Sequence, residues 1–208
     1  MKQRYLLIIF IGLLTFSCKK DDPTPKKDEI VYNDIIPDKE IQSVRYYTFQ
    51  DHSVCTANVP TPSDSSITYD LDMDKDQVSD FKIRVAHSKY TDGYCGHCDR
   101  FTYNISIEGL SSNDSIANSP MQYWTPRLFS ELDTIDKNNT WLSRTEILLL
   151  EGCSLPFQVD FTDGFIGIKI KNSYGYIRIE KMSNNGIRIL EHGFNKTENN
   201  IIKCGQTE

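Results

Sequence analysis

The sequence predicts an all-β protein, an antiparallel β-sandwich or jelly-roll-like fold, and three observations lead there. Apolar and polar residues alternate in short runs from Glu29 onward, the period-2 pattern of half-buried strands. Turn residues separate the runs, and no segment sustains the 3.6-residue period of a helix.

Two strands are clearest. Phe81, Ile83 and Val85 alternate with Lys82, Arg84 and Ala86, and Phe101, Tyr103, Ile105 and Ile107 alternate with Thr102, Asn104, Ser106 and Glu108. Further strands are expected over residues 43–49, 66–71, 146–150, 165–170, 174–181 and 187–192. Turns are expected at Thr91-Asp92-Gly93, Asp163-Gly164, Asn172-Ser173 and Asn184-Asn185-Gly186. A single helical turn is expected over 126–133. Residues 30–208 form one β-rich domain, long enough to bury a proper core.

What precedes the domain reads as an address. Lys2 and Arg4 open the chain, residues 5–16 are an apolar run too short to span a bilayer comfortably, and small Ser17 precedes Cys18. Residues 1–17 are therefore expected to be a lipoprotein signal peptide and Cys18 the lipid-modified residue. Several acyl chains on one cysteine anchor firmly, since each buried methylene contributes about 0.8 kcal/mol. Residues 18–29 carry charges and prolines with nothing to bury, and read as a flexible tether. Cys18-Lys19-Lys20-Asp21-Asp22 resembles the export tag of Bacteroidota lipoproteins sent to the outer face of the outer membrane. That resemblance implies a surface-exposed outer-membrane lipoprotein, with the periplasmic face as the alternative.

The chain carries 23 basic and 29 acidic residues; loss of the signal segment leaves 21 against 29, a net charge of -8. Such a surface repels nucleic acid, which excludes nucleic-acid binding, and it attracts cations.

The cation has an evident place. In Tyr69-Asp70-Leu71-Asp72-Met73-Asp74-Lys75-Asp76-Gln77-Val78-Ser79-Asp80-Phe81, carboxylates stand at every second position from 70 to 76, and another follows at 80. With Asp72 as ligand position 1 of an EF-hand-like loop, Asp74 is position 3, Asp76 position 5, the Val78 carbonyl position 7 and Asp80 position 9. Oxygen donors at this spacing suit a hard divalent cation, calcium above all. Position 12 is Ile83, already in the outgoing strand, so a helix-loop-helix hand is excluded and a strand-loop-strand site is expected, with Asp70 nearby. Gln77 occupies the tight-turn position that favours positive φ, at a cost of roughly 1 kcal/mol, which weakens the site. The alternative is a solvated acidic hairpin without an ion, opposed by mutual repulsion of the carboxylates.

Six cysteines raise other chemistries. With Cys18 lipidated, Cys55, Cys95, Cys98, Cys153 and Cys204 remain as disulfide candidates, an odd number that leaves one thiol free or paired elsewhere, with connectivity open. Cys95-Gly96-His97-Cys98 resembles the dithiol of protein disulfide isomerases, which implies a thiol oxidoreductase; the strand-like residues after Cys98 lack the helix that would stabilise the thiolate. His52, Cys55, Cys95 and Cys98 also have zinc-like spacing. No Gly-x-Ser-x-Gly elbow, His-Glu-x-x-His or phosphate-binding glycine loop occurs, so no enzyme is expected. Tyr123, Trp124 and Trp141 could stack on sugar rings or serve as core and rim aromatics. Asp114-Ser115-Ile116 and Asp133-Thr134-Ile135 resemble short glycosylation sites of exported Bacteroidota proteins.

The C-terminal runs Gly164 to Ile170, Tyr174-Gly175-Tyr176-Ile177-Arg178-Ile179, Gly186 to Asn195 and Ile202-Lys203-Cys204-Gly205-Gln206 resemble the ends of a loosely defined group of small secreted bacterial proteins. The opening Tyr32-Asn33-Asp34-Ile35-Ile36-Pro37-Asp38 and the Asp-rich loop are similar too. Two positions depart from that group's pattern: His192-Gly193-Phe194 replaces an aromatic-tyrosine corner, a change of packing, and Gln77 replaces a glycine. The resemblance covers residue 30 to the end, implies a location and a fold, and carries no assigned activity. The expected function is that of a non-catalytic lipoprotein acting as a binding or structural module, with an unknown protein or glycan partner. The alternatives are a carbohydrate-binding accessory lipoprotein of a glycan-uptake system and the thiol oxidoreductase.

Overall fold

The computed structural model describes residues 27–43, 65–92, 98–120, 124–150, 157–158, 162–183 and 186–208. Among the described residues there are strands and no helix. In chain order they are β1 Ile30–Gln42, β2 Ser65–Leu71, β3 Phe81–Asp92, β4 Cys98–Gly109, β5 Asp114–Asn118, β6 Leu128–Phe129, β7 Thr134–Ile135, β8 Thr140–Leu142, β9 Arg144–Leu150, β10 Phe157–Gln158, β11 Asp163–Ile170, β12 Ser173–Ser183, β13 Gly186–Asn195 and β14 Ile202–Lys203.

They pair antiparallel into two main sheets, an antiparallel β-sandwich. The larger runs β1-β13-β12-β11-β5-β8, with β6 also on β11; the smaller runs β10-β9-β4-β3-β2; β14 and β7 form a short ribbon. Alternation explains how they pack. Phe81, Ile83 and Val85 of β3 and Ile105 and Ile107 of β4 meet Ile166, Ile168, Ile177, Ile179, Ile187 and Ile189 of the larger sheet in one buried core. Lys82 and Arg84 take the other face of β3, where the Arg84 Nε donates to Ser66 Oγ at 2.8 Å.

The larger sheet is covered on its second face as well. Phe165, Tyr174 and Tyr176 pack there with Ala117, Phe129, Ile135, Ile202 and Cys204. Residues of both parities along β11 and β12 are therefore buried, which is why these strands read as nearly continuous apolar runs.

Several sequence expectations are corrected. The helical turn over 126–133 is absent: Phe129, 3% exposed, belongs to the second core and pairs with Phe165, so extended β6 takes its place. Asp163-Gly164 is not a turn but the start of β11, paired with Glu180 and Ile179; the Asp163 carboxylate accepts from Arg178 at 2.7 and 3.2 Å and holds that pair in the ladder. The turn expected at Asn172-Ser173 lies one residue earlier, at Lys171-Asn172, because Ser173 pairs with Ile170 and Lys171 takes φ 55°. The strand expected over 43–49 lies outside the described residues apart from Ser43. Strand β1 was not anticipated, and its register explains why: pairing passes from Asp34↔Glu191 to Lys39↔Ile189, so 35–38 bulge out and Ile36, before a cis Pro37, is 83% exposed.

One end of the sandwich gathers the starts of β1, β3, β5 and β12 and the ends of β2, β4, β11 and β13, as the registers require. Hydrogen bonds stitch its turns together. The Lys171 N–H donates to Asn113 O at 3.0 Å, Asn199 N–H to Asn172 O at 2.7 Å and Lys196 N–H to Glu29 O at 2.8 Å. At its centre Asn195 is fully buried. Its Nδ2 donates to Asp28 Oδ1 and Ile201 O, both at 3.1 Å, and its Oδ1 accepts from the Thr197 N–H at 2.9 Å. A second amide, Asn200 Nδ2, donates to Asp28 at 2.7 Å, and the two bonds hold the Asp28 carboxyl below the usual carboxylate range.

Candidate metal centre

The loop between β2 and β3 is closed at its base by the Asp80 N–H, which donates to Leu71 O at 2.8 Å. Met73 is driven fully into the main core, and this plants the loop: its N–H donates to Asp80 Oδ2 at 2.8 Å, while Asp72 and Asp74 flank it half-buried. One oxygen from each of Asp72, Asp74 and Asp80 lies within 4.8 Å of the others. Three hard oxygen donors gathered this closely could hold a metal ion.

Backbone amides organise the carboxylates. Asp72 accepts from the Asp76 N–H at 3.2 Å and the Gln77 N–H at 2.8 Å, and Asp74 Oδ1 accepts from the Asp76 N–H at 3.1 Å. The tight turn this requires puts Lys75 at φ 61° and Gln77 at φ 73°. Gln77 thus adopts the left-handed conformation expected of its position, at a cost of roughly 1 kcal/mol. The Lys75 ammonium reaches across to donate to Tyr32 O at 3.2 Å, joining the loop to β1 of the other sheet.

Electrostatics mark the group as short of positive charge. Burial pushes the Asp80 carboxyl up to about 6, and the charges of Asp74, Asp114 and Asp72 add to this against the opposing Met73 N–H bond. A divalent cation would relieve that repulsion by replacing the proton.

The structure brings together only part of the predicted ligand set. Asp72, Asp74 and Asp80 converge, whereas Asp76 is exposed and outside that group, its Oδ1 accepting from the Val78 N–H at 2.8 Å; the Val78 side chain points away, 64% exposed, and the expected Val78 ligand is its carbonyl. Asp70 pairs with Lys82 across β2 and β3, outside the cluster. Two neighbours escaped sequence reasoning. Asp114, 4% exposed, accepts from the Ser111 N–H at 2.8 Å and adds its charge beside Asp80, whose carbonyl accepts from the Leu110 N–H at 2.8 Å. His192, 3% exposed, pairs its Nε2 with Asn33 Nδ2 at 3.2 Å, and its Nδ1 has no hydrogen-bond partner among the described residues. Burial depresses the imidazole to about 4, with Lys75 adding to the effect and Asp72 opposing it. Neither had a sequence signal pointing at the loop, because both arrive from distant strands.

Of the other candidates, Cys204 takes the place of the unpaired cysteine that an odd number leaves. It carries a free, fully buried thiol, enclosed by the second core, and burial with the Asp133 charge pushes it up to about 12. Cys18, His52, Cys55, Cys95, Cys153 and Tyr123 lie outside the described residues. Cys98 opens β4 opposite Asp92 with its side chain outside them, so a strand occupies the place where a dithiol site would need a helix. Trp141 stacks on Tyr174 at 5.7 Å against the second core, whereas Trp124 is 54% exposed at φ 74°. Ser115 is half-buried in β5, and Thr134 is exposed in β7. No helix among the described residues is long and apolar enough to cross a membrane. Comparison with protein-family models, curated proteins and solved structures found no match.

Proposed function

We propose that the chain is a non-catalytic, surface-anchored lipoprotein, held to the outer membrane through Cys18, whose β-sandwich is braced by calcium and serves as a binding or structural module. The convergence of Asp72, Asp74 and Asp80 on a loop between two strands supports this reading above any other observation. An ion there ties Met73, the core residue beneath it, to the loop's exposed turn, and through Lys75 to β1. Extracellular calcium is plentiful, so even a millimolar-grade site fills.

The test is thermal. Added calcium is expected to raise the melting temperature and a chelator to lower it, with the difference abolished in Asp74→Ala. A melting curve indifferent to calcium and chelator refutes the ion. Triton X-114 partitioning of the mature protein, lost in Cys18→Ala, tests the anchor separately.

A second reading, a carbohydrate-binding accessory protein, draws on the 54% exposure of Trp124. Glycan-array binding lost on Trp124→Ala would favour it; an array blank for the wild-type chain removes it.

A further inference from the structure

The end of the sandwich that receives the tether is also the end that carries the aspartate loop. Four turns form one rim there: 72–80, 110–113, 171–172 and 196–201, joined by the bonds from Leu110 to Asp80, Lys171 to Asn113, Asn199 to Asn172 and Lys196 to Glu29. Three large apolar side chains are exposed on this rim, one from each of three turns: Val78 at 64%, Leu110 at 41% and Ile201 at 50%. Exposed Lys27, Lys75, Lys171 and Lys196 stand among them. Aliphatic tips interleaved with lysines match the boundary between acyl chains and anionic headgroups.

We propose that this rim is the face the domain turns to the bilayer, and that the lipid headgroup layer is its partner. The proposal rests on lipidation of Cys18, which sets the distance: the nine residues from Lys19 to Lys27 span at most about 30 Å when extended. The Asn195 and Asn200 amides fix the tether's entry at Asp28, so the rim stays next to the membrane through most orientations of the tether. Asp72, Asp74, Asp76 and Asp80, with Asp28, Glu29 and Glu198, oppose an anionic surface. A divalent ion on the loop removes much of that opposition and leaves Val78 free to insert.

The experiment compares hydrogen exchange of the full lipidated chain on phosphatidylethanolamine/phosphatidylglycerol vesicles with the same chain in detergent micelles, both in millimolar calcium. Exchange over 72–80, 110–113 and 196–201 is expected to slow several-fold on vesicles, while β1 near Gln42, at the opposite end, is unchanged. The triple variant Val78→Asp, Leu110→Asp, Ile201→Asp is expected to float with the vesicles, melt as the wild type does in micelles, and lose the protection. Protection at the opposite end, or none anywhere in a protein that floats, overturns the proposal. A wild-type chain that does not float overturns the anchor itself, and the proposal with it.

Discussion

Tyr176 and Gly193 face each other across β12 and β13, and the tyrosine ring fills the volume that any side chain at 193 would need. A Cβ there would stand 2.5 Å from Tyr176 Cε1. The ring cannot yield, because it is fully buried, lies edge-to-face on Phe165 at 5.4 Å and donates its hydroxyl to Gln206 O at 3.0 Å. Gly193→Ala should therefore cost about 1–3 kcal/mol in urea denaturation. Gly186→Ala, whose nearest neighbours are Gln42 Cγ at 3.0 Å and the Ile41 carbonyl oxygen at 3.1 Å, should cost less because these contacts are longer. Equal costs would show that Tyr176 does not set the requirement.

The three-carboxylate cluster separates the aspartates of the loop. Asp74→Ala should abolish calcium stabilisation, which reaches about 2.7 kcal/mol at a hundredfold excess over Kd, while Asp76→Ala should retain most of it. Asp80, up at about 6, adds a pH signature. Calcium must displace its proton, so the calcium-dependent gain in melting temperature should be small at pH 5 and complete above pH 7. A gain independent of pH over that range would remove Asp80 from the ligand set.

His192 supplies a dependence of the same sign in the metal-free protein. Its folded pKa of about 4 lies below the ordinary 6.5, so the unfolded chain takes up the proton first and stability falls as pH drops from 6.5 towards 4. The difference, roughly 2.5 pH units at 1.36 kcal/mol each, is on the order of 3 kcal/mol. Asp80, raised above the ordinary 3.8, acts the other way between 3.8 and about 6, losing stability as pH rises. His192→Gln should flatten the acid limb of the stability profile; an unchanged limb would place its cause elsewhere.

Cys204 should be silent to thiol reagents at pH 8 in the folded protein and react fully in guanidinium, since its thiol is buried and held up at about 12. Mass spectrometry of alkylated protein reads this directly. Rapid native labelling of Cys204 would mean that the lid of β7 and β14 opens freely.

How much of this was legible in the sequence depends on how local each element's cause is. Strands β3, β4, β11, β12 and β13 carry their own alternation or apolar runs, and reading residue by residue recovers them. The alternation of β1 is interrupted by its bulge at 35–38, and β6, β7, β8 and β14 are two or three residues long, defined only by what they pair with. The loop shows the same division. Spacing located Asp72, Asp74 and Asp80 and assigned Gln77 its left-handed turn, but the second left-handed residue, Lys75, leaves Asp76 on the exposed side. Asp114 and His192 reach the loop's surroundings through tertiary structure alone.

The clamp of Asn195 on Asp28 has a mechanical consequence. A pull on the residues before Lys27, directed along the strand away from the sheet, does not meet β1 one rung at a time. It first meets the two amides that grip Asp28 and then loads the antiparallel register from Ile30↔Asn195 to Gln42↔Gly186 in shear, so that its rungs share the force. A strand at the edge of a sheet would otherwise be the easiest to peel; fixed in this way at its entry point, β1 is the hem through which a pull on the chain enters the whole sheet.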